Sequence, residues 1–169
     1  MVATSPPGNA ALGNIDLGEN PLLLDRQVCF ALAVANRSVL RIYRRLLDPL
    51  GLTHPQYLVM LALWESEPRA VKDIGRVLQL DSATLSPLLK RLEVNGLIER
   101  RRRGDDERNV DIVLTDAGRD LRDKALAIPP AVVAALGVDW DVLTELHGVL
   151  TKVNEAALRA EQGGSAGGD

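Results

Sequence analysis

The middle of the chain contains four predicted elements whose order narrows the choice of fold. The spacing of apolar residues predicts a short helix over 71–78 and, after a turn, a second helix capped by Asp81 or Ser82. Asn95 and Gly96 provide a left-handed stop for that second helix. Two short β-like runs, LIERRRR and RNVDIVLT, flank the sequence GDDE and predict a hairpin. This order indicates a winged helix-turn-helix, a mostly α fold with a small β-hairpin wing.

The second helix of this arrangement has the diameter and the N-terminal charge that suit the major groove of DNA. Its exposed face is predicted to carry hydroxyl groups and cations suited to phosphates and base edges, namely Ser82, Thr84, Ser86, Lys90 and Arg91. At the hairpin tip, Arg103 and Arg108 are long enough to enter a minor groove. The order of these features favours DNA binding over the alternative, a solvated basic surface on a helix-turn-helix that binds no DNA.

The net charge of −3 means that the chain as a whole is not a polycation. A local basic block, Arg100–Arg103, lies on the first predicted strand of the hairpin. Local positive potential can steer DNA even on an acidic protein, so the distribution of charge remains compatible with DNA binding.

The cysteine and histidine content limits the possible chemistry. A single cysteine in 169 residues argues against a disulfide scaffold and for a reducing cytosol, so we expect a cytoplasmic protein. The N-terminal sequence lacks the features of a signal peptide, and the run ALAIPPAVVAALGV is too short and broken to span a membrane. One cysteine and two distant histidines, His54 and His147, form no convincing metal site. Neither histidine lies in a catalytic signature, so no cofactor is expected and an enzyme with Cys29 as nucleophile is the less favoured alternative.

The first long helix is apolar on two faces. We expect it to end near Leu47, because Asp48-Pro49 follows, and to begin at Asn20 or at Asp25. Apolar residues spaced alternately four and three apart form a heptad-like seam, and a second apolar set lies beside it. This pattern favours a helix shared between its own core and a second subunit over a helix central to one domain.

Three further helices are predicted from caps and breakers. Thr53 caps a helix with Pro55 in its first turn, and Thr115 caps another after the hairpin. The sequence IPP at 128–130 is expected to break the helix that starts at Thr115, and a last helix begins near Asp139.

Several segments resemble the MarR family of dimeric winged-helix regulators. DERNVDIVLTDAG resembles the wing signature of that family, with Asp106, Arg108, Leu114 and Thr115 in place and Gly118 following. LLLDRQVCFALAVANR, LLDPLGLTHPQYLVMLALWE, LDSATLSPLLKRLEVNGLIER and KALAIPP resemble one branch, the organic-hydroperoxide-resistance repressors of the single-cysteine type. The resemblance covers roughly residues 22–155 and implies a transcriptional repressor.

The resemblance implies a homodimer that binds double-stranded operator DNA. The first and last helices would form the dimer interface, and two winged domains would face two half-sites about one turn of DNA apart. Pro87, inside the predicted recognition helix, matches a proline in the branch, although proline is usually costly there.

The resemblance also implies that Cys29 is a peroxide sensor. A thiolate at Cys29 would attack an organic hydroperoxide and become a sulfenic acid, in a site whose apolar lining includes Phe30, Val34, Leu50 and Leu52. If the helix began at Asp25, its dipole would favour the thiolate more than if it began at Asn20.

Tyrosines of both subunits support the thiolate in the branch that this chain resembles. Tyr43 matches one such position, and Tyr57 lies in the matching Leu-Thr-x-Pro-Gln-Tyr segment. Ala33 and His54 stand where relatives often have tyrosine. His54 either replaces a phenol as a donor, more strongly if protonated, or faces water at the start of its helix.

The absence of a second cysteine implies that a small cellular thiol forms a mixed disulfide with oxidised Cys29. The main alternative is a MarR-type regulator that responds to a small aromatic or organic acid, with Cys29 only structural.

The predicted organisation is one MarR-like domain over residues 19–160. It comprises dimerisation helices at 20–48 and 138–160 and a winged helix-turn-helix at about 53–115. A disordered arm over 1–18 and a flexible tail over 161–169 are expected to flank it, because both are rich in small and polar residues.

Overall fold

A computed structural model describes residues 22–102 and 110–164 of the chain. These residues form seven α-helices and three strands, with short 3-10 turns at Leu24–Arg26 and Asp48–Leu50. The helices are α1 (Val28–Leu47), α2 (His54–Glu65), α3 (Val71–Leu78), α4 (Ser82–Val94), α5 (Asp116–Ala125), α6 (Ile128–Leu136) and α7 (Trp140–Gly164). The strands are β1 (Arg69–Ala70), β2 (Ile98–Arg102) and β3 (Val110–Leu114).

The chain divides within α1 into two units, the first ending at Ser38 and the second beginning at Val39. The described part of the first unit contains the 3-10 turn Leu24–Arg26 and the beginning of α1, where the side chains from Arg26 to Arg37 are exposed. The prediction of a single domain over 19–160 and the predicted roles of its segments therefore stay predictions.

The second unit contains the hydrophobic core. Its fully buried side chains come from the end of α1, from α2, α3 and α4, and from the sheet: Leu47, Val59, Met60, Leu63, Ile74, Leu85, Leu89, Leu92, Ile98 and Ile112. Of the apolar stripe that the sequence predicts for α4, Leu85, Leu89 and Leu92 are buried, and Leu88 is partly buried against the core. This packing fixes which face of α4 remains exposed.

The turn between α3 and α4 is tight. The backbone N–H of Leu80 donates to the carbonyl of Gly75 over 2.8 Å, and Gln79 between them has a left-handed backbone with φ of 53°. A Cβ on Gly75 would lie 2.9 Å from the carbonyl oxygen of Leu80, so only glycine permits this approach. The helix-turn-helix predicted from the sequence is therefore confirmed, with α3 at its predicted bounds.

The wing is part of a three-stranded antiparallel sheet in the order β1-β3-β2. Ile98 pairs with Leu114 in the hairpin, and Arg69 pairs with Ile112 on the other side of β3. The two-residue strand β1 was not predicted, because two residues cannot show an alternating pattern. The burial of side chains in β3 does not alternate along the strand. Asp111 and Val113 are buried as well as Ile112, because residues of a paired strand lie beside them on the same face.

Towards the C-terminus, two helix boundaries differ from the sequence predictions. The IPP sequence at 128–130 was expected to break α5, but α5 already ends at Ala125 and the IPP sequence begins a new helix. Ile128 is the first residue of α6, with Pro129 in its first turn, a position where a missing N–H costs no helical hydrogen bond. The last helix extends to Gly164, beyond the predicted limit at 160. The predicted arm over 1–18, Asn20 and residues 165–169 lie outside the described residues.

No single helix among the described residues is long and apolar enough to cross a membrane. A pair, Asp116–Leu136 with Trp140–Glu161, meets the criteria of length and composition only when taken together across a bend of 102°.

Candidate DNA-binding surface and sensor residues

The N-terminus of α4 is fixed by Asp81. The Oδ1 atom of Asp81 accepts a hydrogen bond of 2.7 Å from the backbone N–H of Thr84, which resolves the predicted choice between Asp81 and Ser82 as the cap. This hydrogen bond lowers the pKa of the Asp81 carboxyl, so the cap is ionised near neutral pH. The cap makes Ser82 the first residue of α4. Because Leu85, Leu89 and Leu92 face the core, the opposite face of α4 is exposed.

The predicted DNA-contact residues of α4 lie on its exposed face. The exposed side chains are Ser82, Thr84, Ser86, Pro87, Lys90 and Arg91. Lys90 and Arg91 make no ion pair with any residue in the described ranges 22–102 and 110–164. Their charges are therefore available to an anionic partner, and their role in DNA binding remains a proposal.

The predicted wing residues are described only in part. Arg103, Asp106 and Arg108 lie outside the described residues. Within the basic block, Arg100 is 3.3 Å from Glu93 and Arg101 is 3.5 Å from Glu99. These neighbouring carboxylates offset part of the positive charge that the sequence alone suggested for this strand.

A polar junction joins the end of α2 to β3 and α5. The Glu67 carboxylate accepts a 2.7 Å hydrogen bond from the N–H of Leu114 and a 2.9 Å hydrogen bond from Nε of Arg119. This pairing raises the pKa of the Arg119 guanidinium. The indole N–H of Trp64 donates to the carbonyl of Gly118 over 2.9 Å. Sequence reasoning did not find this junction, because its partners are about fifty residues apart and belong to no motif.

Three of the predicted sensor-supporting residues form an aromatic cluster in the second unit. The ring centroids of Tyr43 and His54 are 4.7 Å apart in an edge-to-face arrangement, and those of Tyr43 and Tyr57 are 6.1 Å apart. Trp64 extends the cluster, 6.3 Å from Tyr57. Sequence reasoning assigned Trp64 no role in the cluster, although it follows Tyr57 at helical spacing.

Burial sets the protonation of this cluster. Desolvation raises the pKa of Tyr43, and desolvation followed by the charge of Tyr43 raises that of Tyr57, so both phenols stay protonated as hydrogen-bond donors. Desolvation lowers the pKa of His54 below its ordinary value of 6.5, so His54 is neutral at pH 7. The ring of His54, the first residue of α2, packs against Tyr43 and is half-buried, and its role in the sensor stays a prediction.

We expect His54 to make stability depend on pH in mildly acidic solution. Its pKa is lower in the folded protein than the ordinary 6.5, so the unfolded chain binds the proton first. The free energy of unfolding should therefore fall as the pH decreases below 6.5. His54→Phe keeps an aromatic ring against Tyr43 and should remove this part of the pH dependence in urea titrations, with His147→Gln on exposed α7 as control. An unchanged pH dependence in His54→Phe would contradict the assignment.

The other two sensor residues, Cys29 and Phe30, lie in the first unit. Both are exposed in the single chain, and Cys29 is the second residue of α1, which begins at Val28. The helix start thus lies beyond both predicted positions, Asn20 and Asp25, because the 3-10 turn Leu24–Arg26 and Gln27 precede it. Cys29 therefore lies in the first turn of α1.

Of the residues predicted to line the sensor, Leu52 is 3% exposed and belongs to the hydrophobic core of the second unit, and its part in the lining stays a prediction. Leu50 is half-buried against the same core, whereas Val34 is exposed on the first unit.

A shallow cavity of about 250 Å³ lies between α2 and the helices α5 and α6. It is lined by Tyr57, Leu61, Trp64, Glu65, Arg122, Ala125, Leu126 and Pro129. Its walls combine aromatic and aliphatic surface with one guanidinium, Arg122, and one carboxylate, Glu65, so a small polar aromatic molecule there would contact both charged groups. Within residues 22–102 and 110–164, no three His, Cys, Asp or Glu side chains group as a metal site.

The fold and the exposed α4 define a DNA-binding winged-helix protein, and comparison with known families agrees. Residues 41–125 match the family model described as transcriptional regulator SarA/Rot. The chain belongs to this family of MarR-like winged-helix transcriptional regulators, as the resemblance in the sequence indicated.

Two transcriptional regulators and one solved structure are similar to the chain over three quarters of its length or more. The chain is 46% identical over 149 residues to the HTH-type transcriptional regulator TtmR of Methylorubrum extorquens, covering 88% of this chain and 74% of that protein. It is 44% identical over 127 residues to the organic hydroperoxide resistance transcriptional regulator of Bacillus subtilis, covering 75% and 86% of the two chains. The structure of reduced AbfR bound to DNA superposes with a TM-score of 0.67 at 34% identity, over 80% of this chain and 94% of that one.

Proposed function

We propose that this protein is a homodimeric repressor that binds operator DNA while Cys29 is reduced and releases it when an organic hydroperoxide oxidises Cys29. The class of transcriptional regulator, and the similarity to a regulator named for organic hydroperoxide resistance, support the proposal. The observation that carries it is the exposed thiol of Cys29 in the first turn of α1.

The chemistry assigned to Cys29 is a two-electron oxidation of sulfur. The thiolate attacks one oxygen of the hydroperoxide, the O–O bond breaks, and the remaining alkoxide takes up a proton and leaves as an alcohol. Sulfur becomes a sulfenic acid, and the peroxide is the oxidant. Exposed apolar side chains near Cys29 on α1, including Phe30 and Val34, favour an organic peroxide over hydrogen peroxide.

The second oxidation product is a mixed disulfide. The chain has one cysteine, so the sulfenic acid reacts with a small cellular thiol, forming an S–S bond and releasing water. Burying an added oxygen or disulfide unpaired at a subunit interface costs roughly a few kcal/mol. That cost is comparable to a typical allosteric coupling of about 1–3 kcal/mol, enough to change the spacing of the two winged domains.

The dimer is proposed from apolar surface that the single chain leaves exposed. On α1 this surface includes Val28, Phe30 and Leu32, and α7 separately exposes Val142, Leu146, Val149, Leu150 and Val153. Contiguous apolar side chains on a helix surface are typical of an interface. This proposal implies that the protein is cytoplasmic and has no cofactor and no catalytic activity.

We expect Leu146→Glu to convert the dimer largely to monomer without unfolding it. Leu146 is 48% exposed in the single chain, and two copies face one interface by symmetry. Losing two buried leucines at roughly 1.5 kcal/mol or more each raises the dimer dissociation constant by a factor of about 100 or more. Analytical ultracentrifugation would measure it, with Lys152→Glu on the same helix as the charge control. A wild-type monomer at micromolar concentration would contradict the proposed dimer.

A second function is supported by the cavity beside Tyr57 and Arg122. A regulator that binds a small aromatic acid there would leave Cys29 with a structural role only. One experiment distinguishes the two functions. The protein is bound to an operator duplex selected from a random pool and is treated with an organic hydroperoxide or with an aromatic acid, and the release of DNA is measured. Release by peroxide alone supports sensing through Cys29. Release by the acid that persists in Cys29→Ser supports the ligand-binding alternative.

A further inference from the structure

The end of strand β3 is held by a side chain of the polar junction. Antiparallel pairing of Arg69 with Ile112, continued by two residues, places Glu67 opposite Leu114. Strand β1 does not extend that far, because it begins at Arg69. The Oε2 atom of Glu67 instead accepts a hydrogen bond of 2.7 Å from the N–H of Leu114. The carboxylate thus takes the place of a neighbouring strand at the end of β3.

Arg119 fixes the orientation of the Glu67 carboxylate from the side of α5. Its Nε is 2.9 Å from Oε1 of Glu67, and its Nη1 is 3.1 Å from Oδ1 of Asp116, which lies one turn earlier on α5. The Glu67 side chain is 25% exposed, so both of its hydrogen bonds are partly shielded from water. One carboxylate therefore joins the segment after α2 to both β3 and α5.

The N-terminus of α5 is itself held against the base of the hairpin. The hydroxyl of Thr115 donates to the carbonyl of Gly96 over 2.6 Å, and the N–H of Thr115 donates to the carbonyl of Leu97 over 3.1 Å. A methyl group on Gly118 would overlap the backbone of Leu97, so α5 also packs closely against the residue before β2. The start of α5 is therefore a fixed support, and the carboxylate of the junction connects it to β3.

The position of Leu114 determines where the distal part of the hairpin lies. A strand rises about 3.4 Å per residue, so Val110 lies about 14 Å from Leu114, and a tilt of about 10° at Leu114 would move Val110 by about 2 Å. Hydrogen-bond lengths vary by only about 0.5 Å, so such a movement breaks polar contacts made by the hairpin. A two-stranded hairpin has little stability of its own, and β1 supports β3 over two residues. The contact at Leu114 therefore controls the tilt.

We propose that Glu67, oriented by Arg119, is a positioning residue for DNA binding, because it fixes the tilt of the β2–β3 hairpin relative to the recognition helix α4. Neither side chain contacts DNA, and both act through Leu114. The sequence predicted DNA contacts on α4 and the wing and gave this pair no role. The inference rests on the DNA binding of the proposed function and does not depend on peroxide sensing.

Glu67→Ala, measured beside Glu67→Gln, tests the proposal. Alanine removes the acceptor for the N–H of Leu114, whereas glutamine keeps an acceptor oxygen of the same reach. We expect the operator affinity to fall at least about tenfold in Glu67→Ala and to stay within about threefold of the wild type in Glu67→Gln. Loss of a negative charge would by itself strengthen DNA binding, so the charge change does not explain a decrease. Asp123→Ala, which removes the same charge from an exposed position of α5, should bind at least as tightly as the wild type.

Hydrogen exchange and stability distinguish positioning from a general loss of structure. Val132→Ala, in the core on α6, should lower the free energy of unfolding and leave the operator affinity of the folded protein unchanged. In Glu67→Ala, exchange of the Leu114 amide hydrogen should accelerate at least about tenfold, and by a larger factor than that of Val59 in the core of α2. The proposal is overturned if Glu67→Ala binds the operator like the wild type, or if its affinity falls while exchange at Leu114 is unchanged.

Arg119→Ala provides an independent variant that keeps the Glu67 acceptor. We expect its operator affinity to fall at least about threefold, and further than in Lys124→Ala, which removes the same charge from an exposed position of the same helix. Because Arg119 acts through Glu67, the double variant should lose less affinity than the product of the two single losses, and a full product would contradict the pairing. A wild type that bound no duplex would contradict the proposed function, whereas wild-type affinity in both single variants would overturn this inference alone.

Discussion

Replacing Cys29 by serine is expected to leave operator affinity unchanged and to abolish release by organic hydroperoxide. Serine keeps the size and position of the side chain in the first turn of α1, but its hydroxyl does not reduce a peroxide. The wild type should lose operator affinity by a factor within the usual range for allosteric coupling, about 5–150-fold. The variant should lose none.

Fluorescence anisotropy of a labelled operator duplex, before and after treatment with cumene hydroperoxide, measures both proteins. Ala31→Ser introduces the same hydroxyl two residues further along α1 and keeps the thiol, so it should respond like the wild type. If Cys29→Ser released its DNA under peroxide, Cys29 would be a structural residue and the sensing mechanism would be wrong.

Gly118→Ala is expected to cause a large loss of stability, because the added methyl group would overlap the backbone. A Cβ on Gly118 would lie 2.1 Å from the carbonyl oxygen of Leu97, which is a backbone atom held by the N–H of Thr115. Relief of that overlap requires α5 to move from the sheet, where Trp64 donates to the Gly118 carbonyl. We expect a loss of about 3 kcal/mol or more in the free energy of unfolding, at the upper end of overpacking effects.

Urea denaturation of Gly118→Ala measures this loss, with Ala117→Ser as control because Ala117 is exposed beside it on the same helix. The control should change stability by less than about 0.5 kcal/mol. A Gly118→Ala protein as stable as the wild type would show that α5 does not pack closely against the backbone of Leu97, the residue before β2.

Local patterns predicted the winged helix-turn-helix because its signals lie within short stretches of chain. The apolar spacing gave the bounds of α3, and Asp81 and Thr115 capped α4 and α5 as their side chains allow. Strand β1 and helix α6 were not predicted from the sequence, each for its own reason. β1 is too short to show a period, and the prolines of α6 are breakers inside a helix but acceptable in its first turn.

The candidate sites depended more on distant contacts. Tyr43 and His54 were selected by resemblance to a family, and only the fold shows that their rings touch and that burial keeps His54 neutral.

One oxidation at Cys29 is expected to release DNA, and a stoichiometric titration of the wild type measures this. The reduced dimer on its operator duplex is treated with organic hydroperoxide up to one molar equivalent per chain in the presence of a small thiol. Anisotropy and intact mass are followed together. DNA release should rise in proportion to the fraction of chains carrying a single mixed disulfide at Cys29, and a reductant should restore binding. Full conversion of Cys29 to the mixed disulfide with the operator still bound at its original affinity would show that oxidation of Cys29 does not control DNA binding.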